Sequence, residues 1–217
     1  GVLLSDLPRA EIFISSKIWT SHRSYDGVMR AFTDIIEQLK TTYLDQLLIH
    51  WPATQGEPMI WQSQNAGTWR ALEDLYEQGA VKVIGVSNFL PHHLVPLLAR
   101  ARIRPMVNQL EIHPGYPQFA AVNFCFKQNI AVQAWSPLGR GGLTHHPLLI
   151  ELGEKYGVSP ALIALRWSLQ LGTSAHPSGK PCVMSSCPSA CRQSLGRYSS
   201  PWRYRSTSLP LLGLYPA

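Results

Sequence analysis

From Ile12 to about Leu171 one unit repeats: a short apolar run rich in strand-forming residues, then a stretch with helical period. The runs are Ile12–Ile18, Gln46–His50, Val81–Val86, Met106–Ile112 and Ile130–Ala134, so a strand recurs every 24 to 36 residues. Between them, Ser24–Leu39 sets Val28, Phe32, Ile35, Ile36 and Leu39 on one helical face. Thr68 is the expected N-cap of a helix over Trp69–Gln78, with Gly79 as its stop. Further helices are expected over Pro91–Arg100, Pro117–Gln128 and Ser159–Leu171. Alternating β and α at this spacing predicts a parallel sheet, and continuously apolar strands predict that both its faces are covered. No strand is followed by GxGxxG, which removes the main support for a dinucleotide-binding open sheet.

The pattern stops after Gly172. Residues 173–217 hold ten Ser, six Pro, three of the four Cys and no Asp or Glu, with no sustained period. Two domains are therefore expected: a folded one over 1–172 and a low-complexity, disordered and non-native tail over 173–217. The tail carries Cys and Trp that solvated tails avoid, and it reads best as the product of a shifted reading frame. The net charge of +6 divides the same way: residues 1–172 carry 14 Lys/Arg against all 13 Asp/Glu, and the tail adds five cations. The basic excess belongs to the tail, which argues against a nucleic-acid surface on the folded part. Cys182, Cys187 and Cys191 follow C-x4-C-x3-C without the tight pairs of a zinc knuckle, so no metal is expected. Cys125 reads as a small buried apolar residue. No apolar run approaches the ~20 residues of a membrane span, and no signal peptide opens the chain, so a cytoplasmic protein is expected. The missing initiator Met suggests truncation upstream.

Polar residues gather at the strand ends. Lys17 closes the first run, His50 the second, Ser87 and Asn88 the third; Gln109 and Glu111 lie at the end of the fourth, Trp135 and Ser136 after the fifth. In a (β/α)8 barrel the active site is built at the C-terminal ends of the strands. Taken singly, Lys17 could serve water, His50 and Trp135 the core, and Ser87–Asn88 a turn before the Pro91 helix. Five strands in succession delivering hydrogen-bonding groups to one rim favour a site.

The strings FISSKIW, YLDQLLIHWP, VKVIGVSNF, NQLEIHP and AWSPLGRG, in this order and spacing, resemble the aldo-keto reductase superfamily. The likeness covers residues 1 to about 172. It implies an α/β fold, an incomplete (β/α)8 TIM barrel of about five βα units, and NADPH-dependent reduction of an aldehyde or ketone to an alcohol. By that resemblance Lys17 and His50 are the Lys and His of a catalytic Asp-Tyr-Lys-His set. Ser87, Asn88 and Gln109 hold the nicotinamide carboxamide, Trp135 stacks on its ring, and Ser136, Leu138 and Gly139 pass over the pyrophosphate. Trp19 and Trp51 line the substrate pocket. The implied partner is a small carbonyl compound, with no nucleic acid or membrane, and the parent enzyme is expected to be monomeric or weakly dimeric. No tyrosine matches the general acid: Tyr25 follows the Lys strand and Tyr43 precedes the His strand. The Asp is missing too, and TSAHPSGKPC stands in place of the last strand and its phosphate-gripping residues. The chain alone is therefore expected to be inactive. Two other readings stay open: a Schiff-base aldolase or isomerase using Lys17, and a degenerate, non-catalytic fragment.

Overall fold

The computed structural model describes residues 8–53 and 58–176, all within the first of two compact units, Gly1–Lys180. Six parallel strands lie in chain order: β1 (Ser15–Ile18), β2 (Gln46–Ile49), β3 (Ile84–Ser87), β4 (Val107–Glu111), β5 (Ala131–Trp135) and β6 (Ser174–His176). Every strand pairs with its predecessor and the order never reverses. That is the singly wound arrangement of a barrel sheet, unlike a doubly wound sheet, whose order turns back at a switch point.

The helices between strands are α1 (Tyr25–Leu39), α2 (Pro58–Glu77), α3 (Pro91–Leu98) and α4 (Phe119–Lys127); α5 (Pro147–Tyr156) and α6 (Pro160–Gln170) precede β6. Local signals set their ends. Ser24 caps α1, its hydroxyl accepting the Gly27 N–H at 3.0 Å, and Val28 and Phe32 carry the buried face. Ser159 caps α6 through the Leu162 N–H, with Pro160 in the first turn as the sequence predicts. Gly79, at φ 73°, ends the helix before β3.

Three expectations change. α2 begins ten residues before Thr68, so Thr68 is no cap. It is a buried residue inside the helix, its hydroxyl donating to the Gln64 carbonyl at 2.8 Å. The polar stretch around Gln62–Gly67 hides the helical period there. α5 was not expected at all. Finally, Ser174–His176 form a sixth strand on β5, inside the segment read as having no fold. Three residues are too few to display a period, which is why the sequence does not mark them. The remainder of the 173–217 segment, with Cys182, Cys187 and Cys191, lies outside the described residues.

β2 and β3 are fully buried and β4 nearly so. Cys125, fully buried on α4, is part of this core as expected. On β5 the residues alternate, Val132 and Ala134 buried and Ala131, Gln133 and Trp135 half-buried. The alternation separates a helix-covered face from an inner face carrying the polar residues.

At the foot of the sheet Asp45 is buried before β2. It accepts the Ile14 N–H at 3.0 Å, the Arg9 guanidinium at 2.9 Å and the Lys82 ammonium at 3.2 Å. Burial alone would raise its pKa, but the Ile14 N–H and the two cations outweigh it and hold the carboxyl below its usual range.

His93 ties α3 to the rest. It is buried against Phe89 and Trp61, and its Nδ1 accepts the Leu90 N–H at 3.1 Å. Burial, then the neighbouring His92, lowers its pKa to about 4. A histidine protonated more readily unfolded than folded adds stability that is present above pH ~6.5 and lost as pH falls towards 4. Acidification over that window should cost on the order of 2–3 kcal/mol at this site, and His93→Gln should flatten the profile. Urea unfolding of both proteins from pH 7 to 4 measures it; parallel profiles would exclude His93 as the titrating group.

Candidate active site

The register gathers the rim residues on one face. Lys17 pairs with Leu48, Leu48 with Gly85, Gly85 with Val107 and Val107 with Ala131, forming one inward row. Two residues further along the strands, and so on the same face, Ser87 pairs with Gln109, Gln109 with Gln133 and Gln133 with Ser174. His50 enters beside this second row, its N–H donating to the Ile18 carbonyl at 3.1 Å. Trp135 lies two residues beyond Gln133, on the same face.

Direct contacts join these residues. Asn88 donates its Nδ2 hydrogens to the His50 carbonyl at 3.0 Å and Ser87 Oγ at 3.1 Å. Ser87 Oγ donates to the Gln109 carbonyl at 2.9 Å, and the Trp135 indole N–H donates to Asn88 Oδ1 at 2.9 Å. Trp19 stands edge-on to the His50 imidazole with centroids 4.6 Å apart, and Trp51 lies nearly parallel to it at 6.3 Å. Both indoles are about half exposed, Trp19 at 55% and Trp51 at 43%, forming an aromatic wall open to solvent. The loop carrying His50 and Trp51 is held from behind: Asn65 on α2 bonds the Ala53 N–H at 2.8 Å and its carbonyl at 3.3 Å, and Arg23 bonds the Pro52 carbonyl.

Lys17, half-buried, is an ammonium whose pKa burial lowers. Burial, and then the Lys17 charge, lowers that of His50. A neutral imidazole beside a cation can hand on a proton or hold a carbonyl oxygen. Among the described residues no carboxylate pairs with Lys17. The described tyrosines are committed elsewhere: Tyr25 donates to Asp74, Tyr43 lies under Arg9 and Lys82, Tyr76 packs on the core, and Tyr116 sits in the loop after β4. Tyr156 lies beneath the Lys155 ammonium.

On the same face of the sheet as Trp135, one buried acceptor has no partner among the described residues. Gln109 is buried; its Nε2 donates to Gln133 Oε1 at 3.1 Å, while its Oε1 has no partner. A buried acceptor left unpaired costs about 1–3 kcal/mol, so it marks a place for a donor. An amide N–H of a nicotinamide, with its ring against Trp135, fits that demand. Beyond Trp135 the chain turns through Ser136 at φ 54°, Gly139 at φ 54° and Arg140 at φ 55°, in a loop that includes Leu138. Gly139 N–H donates to the Ser136 carbonyl at 2.8 Å, closing the first turn. The Gly141 N–H likewise donates to the Leu138 carbonyl at 3.0 Å, so the loop holds its own shape.

Every sequence-chosen residue thus falls on this rim or its loop. Gln133 and the Trp135–Asn88 bond escaped the sequence reading. Gln133 had a signal: it stands two residues before Trp135, on the same strand face. Among the described residues no group of three or more His, Cys, Asp or Glu is arranged to hold a metal, and no helix is long and apolar enough to cross a membrane.

The model of the aldo/keto reductase family matches residues 1–196, most of the chain and past the Gly172 break. The chain belongs to the aldo/keto reductase family. This member is 42% identical over 180 residues to the 9,11-endoperoxide prostaglandin H2 reductase of Trypanosoma cruzi, covering 82% of this chain and 61% of that protein. It is 42% identical over 177 residues to the glyoxal reductase of Bacillus subtilis, with the same two coverages. The chain therefore spans less than two thirds of the length of these relatives. Among solved structures, the aldo/keto reductase of Brucella melitensis superposes with a TM-score of 0.76 at 38% identity, covering 83% of this chain and 67% of that one. Gox0644, solved with NADPH, superposes at 0.71 with 37% identity, covering 80% and 62%. The fold of this aldo/keto reductase chain is thus that of the (β/α)8 barrel enzymes, and a nicotinamide cofactor serves the family it joins.

Proposed function

We propose that this rim is the nicotinamide seat of an NADPH-dependent carbonyl reductase acting on small aldehydes or ketones in the cytoplasm. The single observation that carries the reading is the unpaired, buried Gln109 Oε1 on the same face of the sheet as the Trp135 indole: an amide acceptor and a stacking surface on neighbouring strands. When bound, the cofactor supplies a hydride to the carbonyl carbon. The chain's own residues do the rest. Trp135 and Gln109 fix the ring face, and the turn through Ser136, Leu138 and Gly139 takes the diphosphate. His50, kept neutral by burial, holds the substrate oxygen, and Lys17 presents positive charge to the group that protonates it. Trp19 and Trp51 suit an apolar or aromatic carbonyl compound, and the named activity of the Bacillus relative makes glyoxal a second candidate.

The described residues include no tyrosine hydroxyl beside Lys17, so the 217-residue chain should bind NADPH without turning over. Calorimetric titration with NADPH, and absorbance assays with benzaldehyde and glyoxal, test both halves. The expected result is saturable binding and no NADPH oxidation. Turnover abolished by Lys17→Met would refute the inactivity, and absence of binding would refute the cofactor seat.

One observation favours a second reading. A half-buried lysine with a lowered pKa and no carboxylate partner could act as a Schiff-base amine. Borohydride trapping with the same aldehydes should leave Lys17 unmodified; an adduct there would favour the aldolase-type alternative.

A further inference from the structure

A cleft of about 330 Å³ lies between α2 and the turn that follows α3, and none of its lining residues belongs to the rim. Small-molecule pockets begin near this size. On α2, Ser63, Ala66, Gly67 and Arg70 line it at the spacing of one helical face. The floor is apolar: Ala66, Gly67, Trp69, Leu97 and Ala101, with Trp69 and Leu97 buried. The one polar atom of the Trp69 side chain is satisfied, its indole N–H donating to the Ile103 carbonyl at 3.0 Å. Gly67 keeps the cleft open, since a Cβ there would meet no atom within 4 Å.

The charged wall holds one acid and three bases, and they are not equivalent. Glu73 is buried and fully engaged: Oε1 accepts the Arg102 and Ile103 backbone N–H groups at 2.7 and 2.9 Å, and Oε2 accepts Arg102 Nε at 3.2 Å. Arg102 is engaged as well, by Glu73, by Asp74 at 2.6 Å and by Glu77 at 3.7 Å. Arg70 and Arg100 differ. Among the described residues no carboxylate lies within ion-pairing distance of either one, and Arg70 acts on Asp74 only at longer range. The C-terminal end of α3 carries the opposite partial charge. There, however, the Leu97 carbonyl already takes the Arg100 and Ala101 N–H groups at 3.0 and 2.9 Å.

We infer that this cleft is a second binding site, separate from the rim, for a small aromatic anion. The flat ring system lies on the apolar floor, and its carboxylate or phosphate group takes the guanidinium groups of Arg70 and Arg100. A guanidinium offers planar, paired donors that match either head group, and it forms its strongest hydrogen bonds with an ionised acceptor. Glu73 adds no competing acceptor, because its oxygens are occupied. The site does not depend on the cofactor reading.

The test uses 2-naphthoate as the probe and 2-naphthamide as its uncharged match, with binding followed by NMR of the tryptophan indole N–H groups. Naphthoate should move the Trp69 signal and leave those of Trp19 and Trp51 in place. Naphthamide should bind about 10-fold more weakly, the contribution of one charge-assisted hydrogen bond. Arg70→Gln and Arg100→Gln should each weaken naphthoate by up to about 10-fold and leave naphthamide unchanged. Gly67→Phe, which fills the open space, should abolish binding of both. All three positions face solvent or open space, so the urea midpoints of these variants should stay near that of the parent. Equal affinity for the two probes, binding that survives Gly67→Phe, shifts confined to Trp19 and Trp51, or no binding by the parent chain would each overturn the site.

Discussion

Replacing Gly85 by alanine is expected to lower the unfolding free energy by about 3 kcal/mol, at the upper end of what one added carbon costs in a packed interior. Gly85 lies in the middle of β3, in the row that carries Lys17. A Cβ placed there would lie 2.5 Å from the Val107 carbonyl oxygen and 2.8 Å from a Leu48 methyl carbon. The nearer atom belongs to the backbone of the adjacent strand and cannot rotate away. β3 and β4 would have to part, and Ser87 and Asn88, two and three residues on, would be displaced with them. Gly67 is the control. It lies within α2 with nothing within 4 Å of its absent Cβ, so alanine there should be neutral or stabilising by up to about 1 kcal/mol. Urea unfolding of the two variants decides the matter: the Gly85→Ala midpoint should fall with an unchanged slope. Equal midpoints would show that the sheet can relax around a methyl group.

Asp45→Ala should cost still more, about 3–5 kcal/mol, the range for breaking a buried ion pair and leaving a partner uncompensated. The side chain of Asp45 is only 10% exposed and that of Arg9 24%, so water screens this contact weakly. Lys82 is 55% exposed and adds little. The loss spreads, because the same carboxylate takes the Ile14 N–H just ahead of β1, and Arg9 also holds the Ile12 and Tyr43 carbonyls. Asp45→Asn should recover part of the loss, keeping the acceptor without the charge. Thermal unfolding at neutral pH measures both, and an Asp45→Ala midpoint within a degree or two of the parent would contradict this account of the foot of the sheet. The carboxyl pKa is held low, so this stability is present above the ordinary carboxylate pKa and fades as pH falls below it.

Much of this was legible in the sequence for a definite reason. Strands covered on both faces are mostly apolar, so β2 and β3 announce themselves, and a polar residue at the end of such a strand stands out. Lys17, His50, Asn88, Gln109 and Trp135 stand at such ends; the register puts Lys17, Gln109 and Trp135 on one face, and hydrogen bonds bring His50 and Asn88 to it. What stayed hidden has equally plain causes. The first half of α2 is polar and contains Gly67, so its period is faint, and Thr68 imitates a cap while bonding back to Gln64. β6 is three residues long and lies in a segment whose composition signals nothing ordered. The bonds of the Asn88 side chain depend on directions that no periodicity encodes, and they join residues 38 and 47 positions apart in the chain.

The central claim is geometric: the rim groups converge on one nicotinamide. A crystal structure of the 217-residue chain soaked with NADPH tests it most directly. The account predicts the nicotinamide ring against the Trp135 indole, with its carboxamide nitrogen about 3 Å from Gln109 Oε1 and Lys17 and His50 facing the same space. A nicotinamide bound elsewhere, or Lys17, His50, Gln109 and Trp135 opening onto separate surfaces, would contradict it.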